Sequence, residues 1–162
     1  CDRIFPRPAS AFPNWMTYAM KANSFHPSEV VEAGTWFDLP EQDEAAYDAP
    51  YPSRTYMAGI RVFPSLLNEV AGENTEARAG LEAFERPFLT LWAANDGGGL
   101  GGCEIQDELI CDIPGAQGQP HARLPAASHF LQDDQGPEIA RRMISFIRND
   151  GPSAGNHQAQ CD

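Results

Sequence analysis

The stretch PFLTLWAAND, residues 87–96, carries most of the information about the fold. Its middle, residues 88–94, is a near-continuous apolar run that ends at Asn95, Asp96 and a run of glycines. Such a run is typical of a strand that is buried on both faces of a parallel sheet. We therefore expect a strand at 88–94, with Asp96 in the loop at its carboxyl end.

A second unit of the same kind follows this strand. The pattern predicts a helix at 104–111, a strand at 120–124, a loop that contains His129, and a last helix opened by Pro137. Strand, helix, strand and helix in this order indicate an α/β fold. Functional groups of open α/β sheets gather beyond the carboxyl ends of the strands, so Asp96 and His129 are expected at one edge of the sheet.

The first 65 residues are rich in proline and aromatic side chains and predict short helices joined by turns. Prolines at 50 and 52 exclude a regular helix around them, because a residue before proline is pushed into extended geometry. The polar, small residues of 151–162 predict a disordered tail. The expected helices in the first half are 28–33, 40–47, 54–67 and an exposed acidic one at 73–85.

The charge of the chain excludes some classes of partner. Eleven Lys and Arg residues stand against 23 Asp and Glu residues, which gives a formal net charge of −12. Such a chain repels nucleic-acid phosphates and anionic membranes. No apolar stretch reaches the roughly 20 residues that a membrane helix needs.

The cysteines give no metal-site pattern, since none is in CxxC spacing or beside a histidine at ligand spacing. We expect no metal, and we expect free thiols, with a Cys103–Cys111 bridge as the alternative. The four cysteines are Cys1, Cys103, Cys111 and Cys161.

Asp96 and His129 are two-thirds of a catalytic triad. A carboxylate that accepts a hydrogen bond from one imidazole nitrogen leaves the other nitrogen ready to take a proton. On pattern alone two other interpretations stay open. Asp96 also fits an ordinary Asn-Asp-Gly turn, and His129 also fits a histidine whose hydrogen bonds are satisfied within its loop.

Four motifs resemble the haloalkane dehalogenases, and they occur in the same order as in that family. The resemblance runs from about residue 12 to about residue 148. The motifs are AYDAPYP (46–52), PFLT (87–90), IPGAQGQPH (113–121) and ASHFLQDD (127–134).

The resemblance implies the C-terminal part of an α/β-hydrolase fold with a helical cap segment and an incomplete parallel sheet. Residues 1–70 would be the cap, and 71–150 the C-terminal part of the main domain. It also implies three site residues: His129 as catalytic base, Asp96 as catalytic acid and Trp15, in the turn FPNW, as a halide-binding indole. The family's nucleophilic aspartate lies before the cap, and no aspartate of this chain stands in that context.

The implied function is hydrolysis of carbon–halogen bonds to alcohol and halide through an alkyl-enzyme ester. The implied partners are a small haloalkane, water, halide and the missing N-terminal half of the fold. We expect no cofactor, a cytoplasmic location and an inactive isolated chain.

Two alternatives are kept beside this interpretation. The first is a fragment similar to epoxide hydrolases, which share the core but carry tyrosine acids on the cap. The second is a non-catalytic fragment or pseudoenzyme without a nucleophile. The tyrosines that keep the first alternative open are Tyr18, Tyr47, Tyr51 and Tyr56.

Overall fold

The computed structural model describes residues 17–22, 25–66, 71–96, 101–149 and 155–158. Residues 17–21 are helical, and short 3-10 turns lie at Arg54–Met57 and Pro114–Ala116. The other elements, numbered in chain order, are α1 (Pro27–Glu32), α2 (Glu41–Asp48), α3 (Ala58–Leu66), α4 (Ala71–Glu82), β1 (Leu91–Ala93), α5 (Cys103–Asp112), β2 (Ala122–Leu124) and α6 (Leu131–Arg148).

Most of the predicted helices are present. The helices expected at 28–33, 40–47 and 104–111 are found as α1, α2 and α5, each within one residue at either end. The helix expected at 54–67 is split into a 3-10 turn and α3, which contains Pro64. None of the helices in the described ranges is both long and apolar enough to cross a membrane.

The two strands form a parallel pair, as expected. Leu91, Trp92 and Ala93 lie opposite Ala122, Arg123 and Leu124. The pairing continues at both ends, where Ala122 N–H donates to the Thr90 carbonyl and Ala94 N–H donates to the Leu124 carbonyl. The carboxyl ends of both strands therefore point the same way.

The strand predicted at 88–94 is shorter than expected and is not buried on both faces. Only Leu91–Ala93 is strand, and the side chains of Leu91 and Trp92 are half-buried. The reason is the small sheet, because within the described residues β1 has one strand neighbour and few elements to cover it. Its apolar sequence fits a more central place than the described residues provide.

A buried polar group fixes the start of the strand pair. His121 Nδ1 accepts the backbone N–H of Thr90 at 3.1 Å, and its Nε2 donates to the Ala116 carbonyl at 2.7 Å. The amide of Gln106 on α5 donates to the Thr90 hydroxyl at 2.9 Å. Burial lowers the pKa of His121, so this ring is held in its neutral form. The histidine of the 113–121 motif is thus a structural residue.

Helix α6 packs on a small apolar core formed by Ala93, Leu124 and Ala127, against which Leu131 and Ile139 are placed. The helix breaks at Gln135, whose φ of −134° is not helical. Pro137 lies two residues after this break, at the start of the longer part of the helix, as expected, whereas the helical turn at 131–134 was expected to be loop.

The first half of the chain forms a helical segment, residues 25–66, held by side-chain to backbone bonds. Asp48 at the end of α2 accepts both the backbone N–H and the hydroxyl of Ser28, at 3.0 and 2.9 Å. Arg61 on α3 donates to the carbonyls of Ala19 and Ala22, at 3.1 and 2.9 Å. The aspartate of the 46–52 motif therefore fastens α2 to α1.

The expectation of free thiols is wrong for the cysteines that the structure describes. Cys103 and Cys111 are both disulfide-bonded. They lie at opposite ends of α5, where eight residues of helix separate them by about 12 Å. A bridge needs Cα atoms within about 7 Å, so they are not bonded to each other. Sequence spacing does not reveal which cysteines meet in space.

Residues 155–158 lie along the outer edge of β2, although 151–162 was expected to be a disordered tail. The Asn156 side chain accepts the backbone N–H of Arg123 at 2.8 Å and donates to its carbonyl at 2.9 Å. His157 N–H donates to the His121 carbonyl at 3.3 Å. A Cβ at Gly155 would lie 2.5 Å from that carbonyl oxygen, so the close approach needs glycine. These residues cover the β2 edge.

Among the residues that the structure describes, no strand pairs with the opposite edge of the sheet, and an apolar groove lies next to it. The backbone groups of Leu91 and Ala93 point away from β2, because alternate residues of a strand bond to opposite sides. The groove has a volume of about 550 Å³. Its lining includes Phe84, Phe88, Leu91, Ile139, Met143 and Ile147.

Candidate active site

The candidate site lies where the two strands end. Asp96 follows β1 after a two-residue turn, and His129 lies in the loop between β2 and α6. Because the strands are parallel, both loops leave the sheet at the same end, where the carboxyl ends of the strands lie. The structure thus brings the two predicted side chains together from positions that are 33 residues apart.

The two side chains are hydrogen-bonded. His129 Nδ1 lies 2.8 Å from Asp96 Oδ2, the contact that the two-loop arrangement predicts. The carboxylate fixes the proton of the neutral ring on Nδ1 and leaves Nε2 as an acceptor. In the described part of the chain, Nε2 has no hydrogen-bond partner.

The two side chains of the pair differ in their exposure to solvent. The Asp96 side chain is 14% exposed, whereas that of His129 is 45% exposed. The hydrogen bond from Asp96 raises the pKa of His129, and partial burial of the ring opposes this shift without cancelling it. The arrangement can accept a proton at Nε2 and stabilise the resulting imidazolium.

Asn95 connects the two loops. Its backbone N–H and its side-chain amide both donate to the Ala127 carbonyl at 3.2 Å, and the amide also donates to the Pro125 carbonyl. The residue before the candidate acid therefore holds the loop of the candidate base. This bridge fixes the distance between Asp96 and His129.

Gly101 lies close to the Asp96 carboxylate. A Cβ at Gly101 would overlap the Asp96 carboxylate, 1.8 Å from Oδ2, so only glycine fits there. The Trp92 indole N–H donates to the Gly101 carbonyl at 2.8 Å and holds Gly101 near β1. Asp96 is thereby shielded from water on one side.

The sequence also predicts a halide-binding tryptophan and no metal site. Trp15 lies outside the described residues. Within the described ranges, no group of three or more His, Cys, Asp or Glu side chains is arranged to hold a metal ion.

Sequence reasoning missed Asn95, Gly101 and Asp134 as parts of the site. Asp134 accepts the backbone N–H of Ser128, next to His129, at 2.9 Å. Asn95 stands beside Asp96 in sequence, but its partners are backbone carbonyls of the other loop. Gly101 and Asp134 had no signal either, because their contacts depend on the path of the chain in space.

The comparison with protein-family models gives no match. Curated relatives do match. A protein of Mycolicibacterium paratuberculosis and one of Mycobacterium marinum, both named haloalkane dehalogenase, are 39% identical to this chain over 145 residues. Those residues cover 86% of this chain, and 47% and 48% of the respective relatives.

A more distant relative agrees with these two. A haloalkane dehalogenase of Psychrobacter cryohalolentis is 33% identical over 143 residues, which cover 85% of this chain and 46% of that protein. The chain thus spans about half the length of the curated relatives that it matches. These matches show that the chain is related to the haloalkane dehalogenases and corresponds to their C-terminal part.

Proposed function

We propose that this chain is the C-terminal portion of a haloalkane dehalogenase that converts a small haloalkane and water into an alcohol and halide. Residues 1–70 are its helical cap, and 71–150 are the C-terminal part of an α/β-hydrolase domain. The observation that carries the proposal is the hydrogen-bonded pair of Asp96 and His129, positioned behind adjacent parallel strands. The match to dehalogenases over most of the chain supports it.

His129 is the base of the second half of the reaction. An aspartate supplied by the N-terminal half attacks the carbon that carries the halogen, the carbon–halogen bond breaks, and halide leaves. His129 Nε2 then takes a proton from water, whose oxygen attacks the ester carbonyl and releases the alcohol. The proton passes from the ring to the departing alkoxide, which restores the neutral histidine. The aspartic acid formed by water attack loses its proton to solvent, so each turnover releases one proton with the halide.

Asp96 holds this base and stabilises its charged form. The hydrogen bond at Nδ1 keeps Nε2 free for water, and the carboxylate compensates the positive ring. Because Asp96 raises the pKa of His129, the proposal predicts how turnover changes with pH. Turnover requires neutral His129, and it declines as the pH falls through the raised pKa of this ring.

Trp15 is proposed as one hydrogen-bond donor to the halide, on the sequence resemblance alone. Its indole N–H can only donate a hydrogen bond, which suits an anion. A second donor and the nucleophile belong to the N-terminal half.

The N-terminal half covers the open edge of β1 and the apolar groove. The groove is lined mainly by apolar side chains, and Ile147 on its wall is 76% exposed. Unpaired strand edges and exposed apolar patches of this kind are normally covered in a stable domain. A parallel strand beside β1, with helices over the groove, satisfies both.

A fusion protein tests the proposal. We define the fusion as the M. marinum haloalkane dehalogenase up to the start of its matched region, joined to this chain. The expected result is halide release from bromobutane, measured by ion chromatography. His129→Gln is expected to stop turnover after a single halide is released per fusion molecule, because the ester then lacks its base.

A second histidine provides the matched control. His157 is bonded to Asp107 at 2.5 Å, away from the two site loops, so His157→Gln is expected to leave turnover unchanged. A folded fusion that releases no halide, or one in which His129→Gln retains full turnover, contradicts the proposal.

Among the described residues, no contact favours the epoxide-hydrolase alternative. The Tyr47 hydroxyl donates to Asp133 at 2.8 Å, and no described tyrosine is hydrogen-bonded to His129. Epoxide opening by the same fusion, in the absence of halide release, is the result that selects that alternative.

A further inference from the structure

The carboxylate of Asp134 joins two parts of the chain that are far apart in sequence. Its Oδ1 accepts the backbone N–H groups of Trp36 and Phe37, at 2.7 and 3.1 Å. Its Oδ2 accepts the backbone N–H of Ser128 at 2.9 Å. Ser128 directly precedes His129, so one carboxylate bonds the helical segment to the histidine loop.

A second set of contacts joins the same two parts on the other side of His129. Phe130 N–H donates to the Gly34 carbonyl at 3.0 Å. A Cβ at Gly34 would lie 2.6 Å from a ring carbon of Phe130, so this approach needs glycine. The Phe130 ring meets the His129 ring edge-on, with centroids 5.1 Å apart. The residues flanking His129 are therefore held by residues 34–37.

The three bonds to Asp134 are strong enough to orient the loop. Hydrogen bonds to an ionised acceptor are about twice as strong as neutral ones. All three donors are backbone groups, so the bonds fix the chain itself rather than a mobile side chain. The donor geometry also demands two acceptor oxygens, because Ser128 and the pair Trp36 and Phe37 use different ones.

We propose that Asp134 is a positioning residue for the base His129. Through Asp134, the orientation of the imidazole depends on the position of residues 36–37 in the helical segment. This inference rests on the proposed function. Asp134 does not touch the reacting atoms. It holds the backbone on which His129 is carried, and it couples residues 36–37 to the base through Ser128.

The neighbouring aspartate offers a matched control. Asp133 accepts the Tyr47 hydroxyl at 2.8 Å, an exposed contact to the same helical segment that also raises the pKa of Tyr47 to about 12. Asp133→Asn changes the charge by the same amount as Asp134→Asn but touches no backbone N–H of the histidine loop.

The test uses the two half-reactions of the fusion. His129 acts in ester hydrolysis and not in halide displacement, so a misplaced base slows only the second step. We expect Asp134→Asn to lower kcat about 10- to 100-fold, the range that misplacement of about 1 Å produces. We also expect a full burst of one halide per molecule and a KM that falls together with kcat.

Asp134→Glu and the control Asp133→Asn distinguish a positioning role from a general loss of structure. Asp134→Glu keeps both acceptor oxygens and is expected to recover part of kcat, while Asp133→Asn keeps all of it. A burst that shrinks in parallel with kcat in Asp134→Asn, an unchanged kcat, or an equal loss in Asp133→Asn overturns the proposal.

Amide hydrogen exchange gives a readout that does not depend on turnover. In the fusion, Asp134→Asn is expected to speed exchange at Trp36 and Ser128 together, whereas Asp133→Asn leaves both unchanged. Unchanged exchange in Asp134→Asn refutes the coupling even if the fusion is active. If Asp134→Asn speeds exchange at both residues in a folded but inactive fusion, the result supports the coupling through Asp134 and contradicts only the proposed function.

Discussion

Expression of residues 1–162 alone removes every contact that an N-terminal half would supply, and we expect a poorly folded, inactive protein. Eleven of the described large apolar side chains are more than a third exposed, among them Met143, Ile144 and Ile147 on α6. Full burial of such a side chain contributes about 1.5–3 kcal/mol, so half-exposure forfeits roughly 1 kcal/mol each. The three of them that line the groove, Phe84, Met143 and Ile147, forfeit roughly 3 kcal/mol together, a large share of the usual stability of a domain, about 5–15 kcal/mol.

The assay compares the isolated chain with the fusion under identical conditions. The chain alone is expected to bind a hydrophobic dye strongly, to unfold without a cooperative transition and to release no halide. The fusion is expected to bind little dye and to unfold cooperatively. Both dye binding and calorimetry report the exposed surface directly.

A substitution in the groove sharpens the comparison. Ile147→Lys is expected to increase the solubility of the isolated chain and to destabilise the fusion, because the groove is exposed in the first and covered in the second. Val62→Lys is the control, since Val62 is 51% exposed but does not line the groove. Cooperative unfolding of a soluble monomeric chain, or measurable turnover by it, refutes the reasoning.

The remaining predictions concern the fusion. Asp96→Asn is expected to lower kcat about 100-fold or more and to move the acid limb of the pH profile to lower pH, because it removes the main cause of the raised His129 pKa; an unmoved limb contradicts the pairing. His121 has a lowered pKa when folded, so below about 6.5 the unfolded chain binds the extra proton and stability falls. Thermal unfolding is expected to show a weaker acid loss in His121→Gln, and an equal loss speaks against this account. Gly115→Ala brings a Cβ to 1.8 Å from the Arg86 carbonyl oxygen and is expected to cost about 3 kcal/mol. Its control Gly59→Ala, in open space on a helix, is expected to add about 0.5–1 kcal/mol; denaturant unfolding of both variants measures the difference.

The sequence was most informative where structure follows from local pattern. The position of Asp96 behind β1 and of His129 behind β2 followed from two apolar runs and the rule for parallel strands, and the 2.8 Å contact agrees. Most helix boundaries could also be predicted from the local sequence, because proline and the spacing of apolar residues mark them. The extent and burial of β1 were not local, since they depend on which neighbours surround the strand.

The residues that hold the site were harder to predict because their partners are backbone atoms. Asn95 bonds the Ala127 carbonyl, and Asp134 bonds the N–H of Trp36, almost a hundred positions away. Any residue type supplies such backbone groups, so no pattern of side chains announces the contact. Only the three-dimensional path of the chain identifies these two residues.

The covering of the β2 edge by Asn156 and His157 limits how identical chains can associate. Fibrous growth through strand pairing requires two free edges on each molecule. Here the β2 edge is occupied, and within the described ranges no strand pairs with the β1 edge. Light scattering of a chain truncated after residue 154 is expected to reveal longer assemblies than those of the intact chain; equal sizes contradict this. With residues 155–158 in place, a molecule that pairs through β1 forms a closed two-fold dimer with a second copy, so these residues prevent further growth through strand pairing.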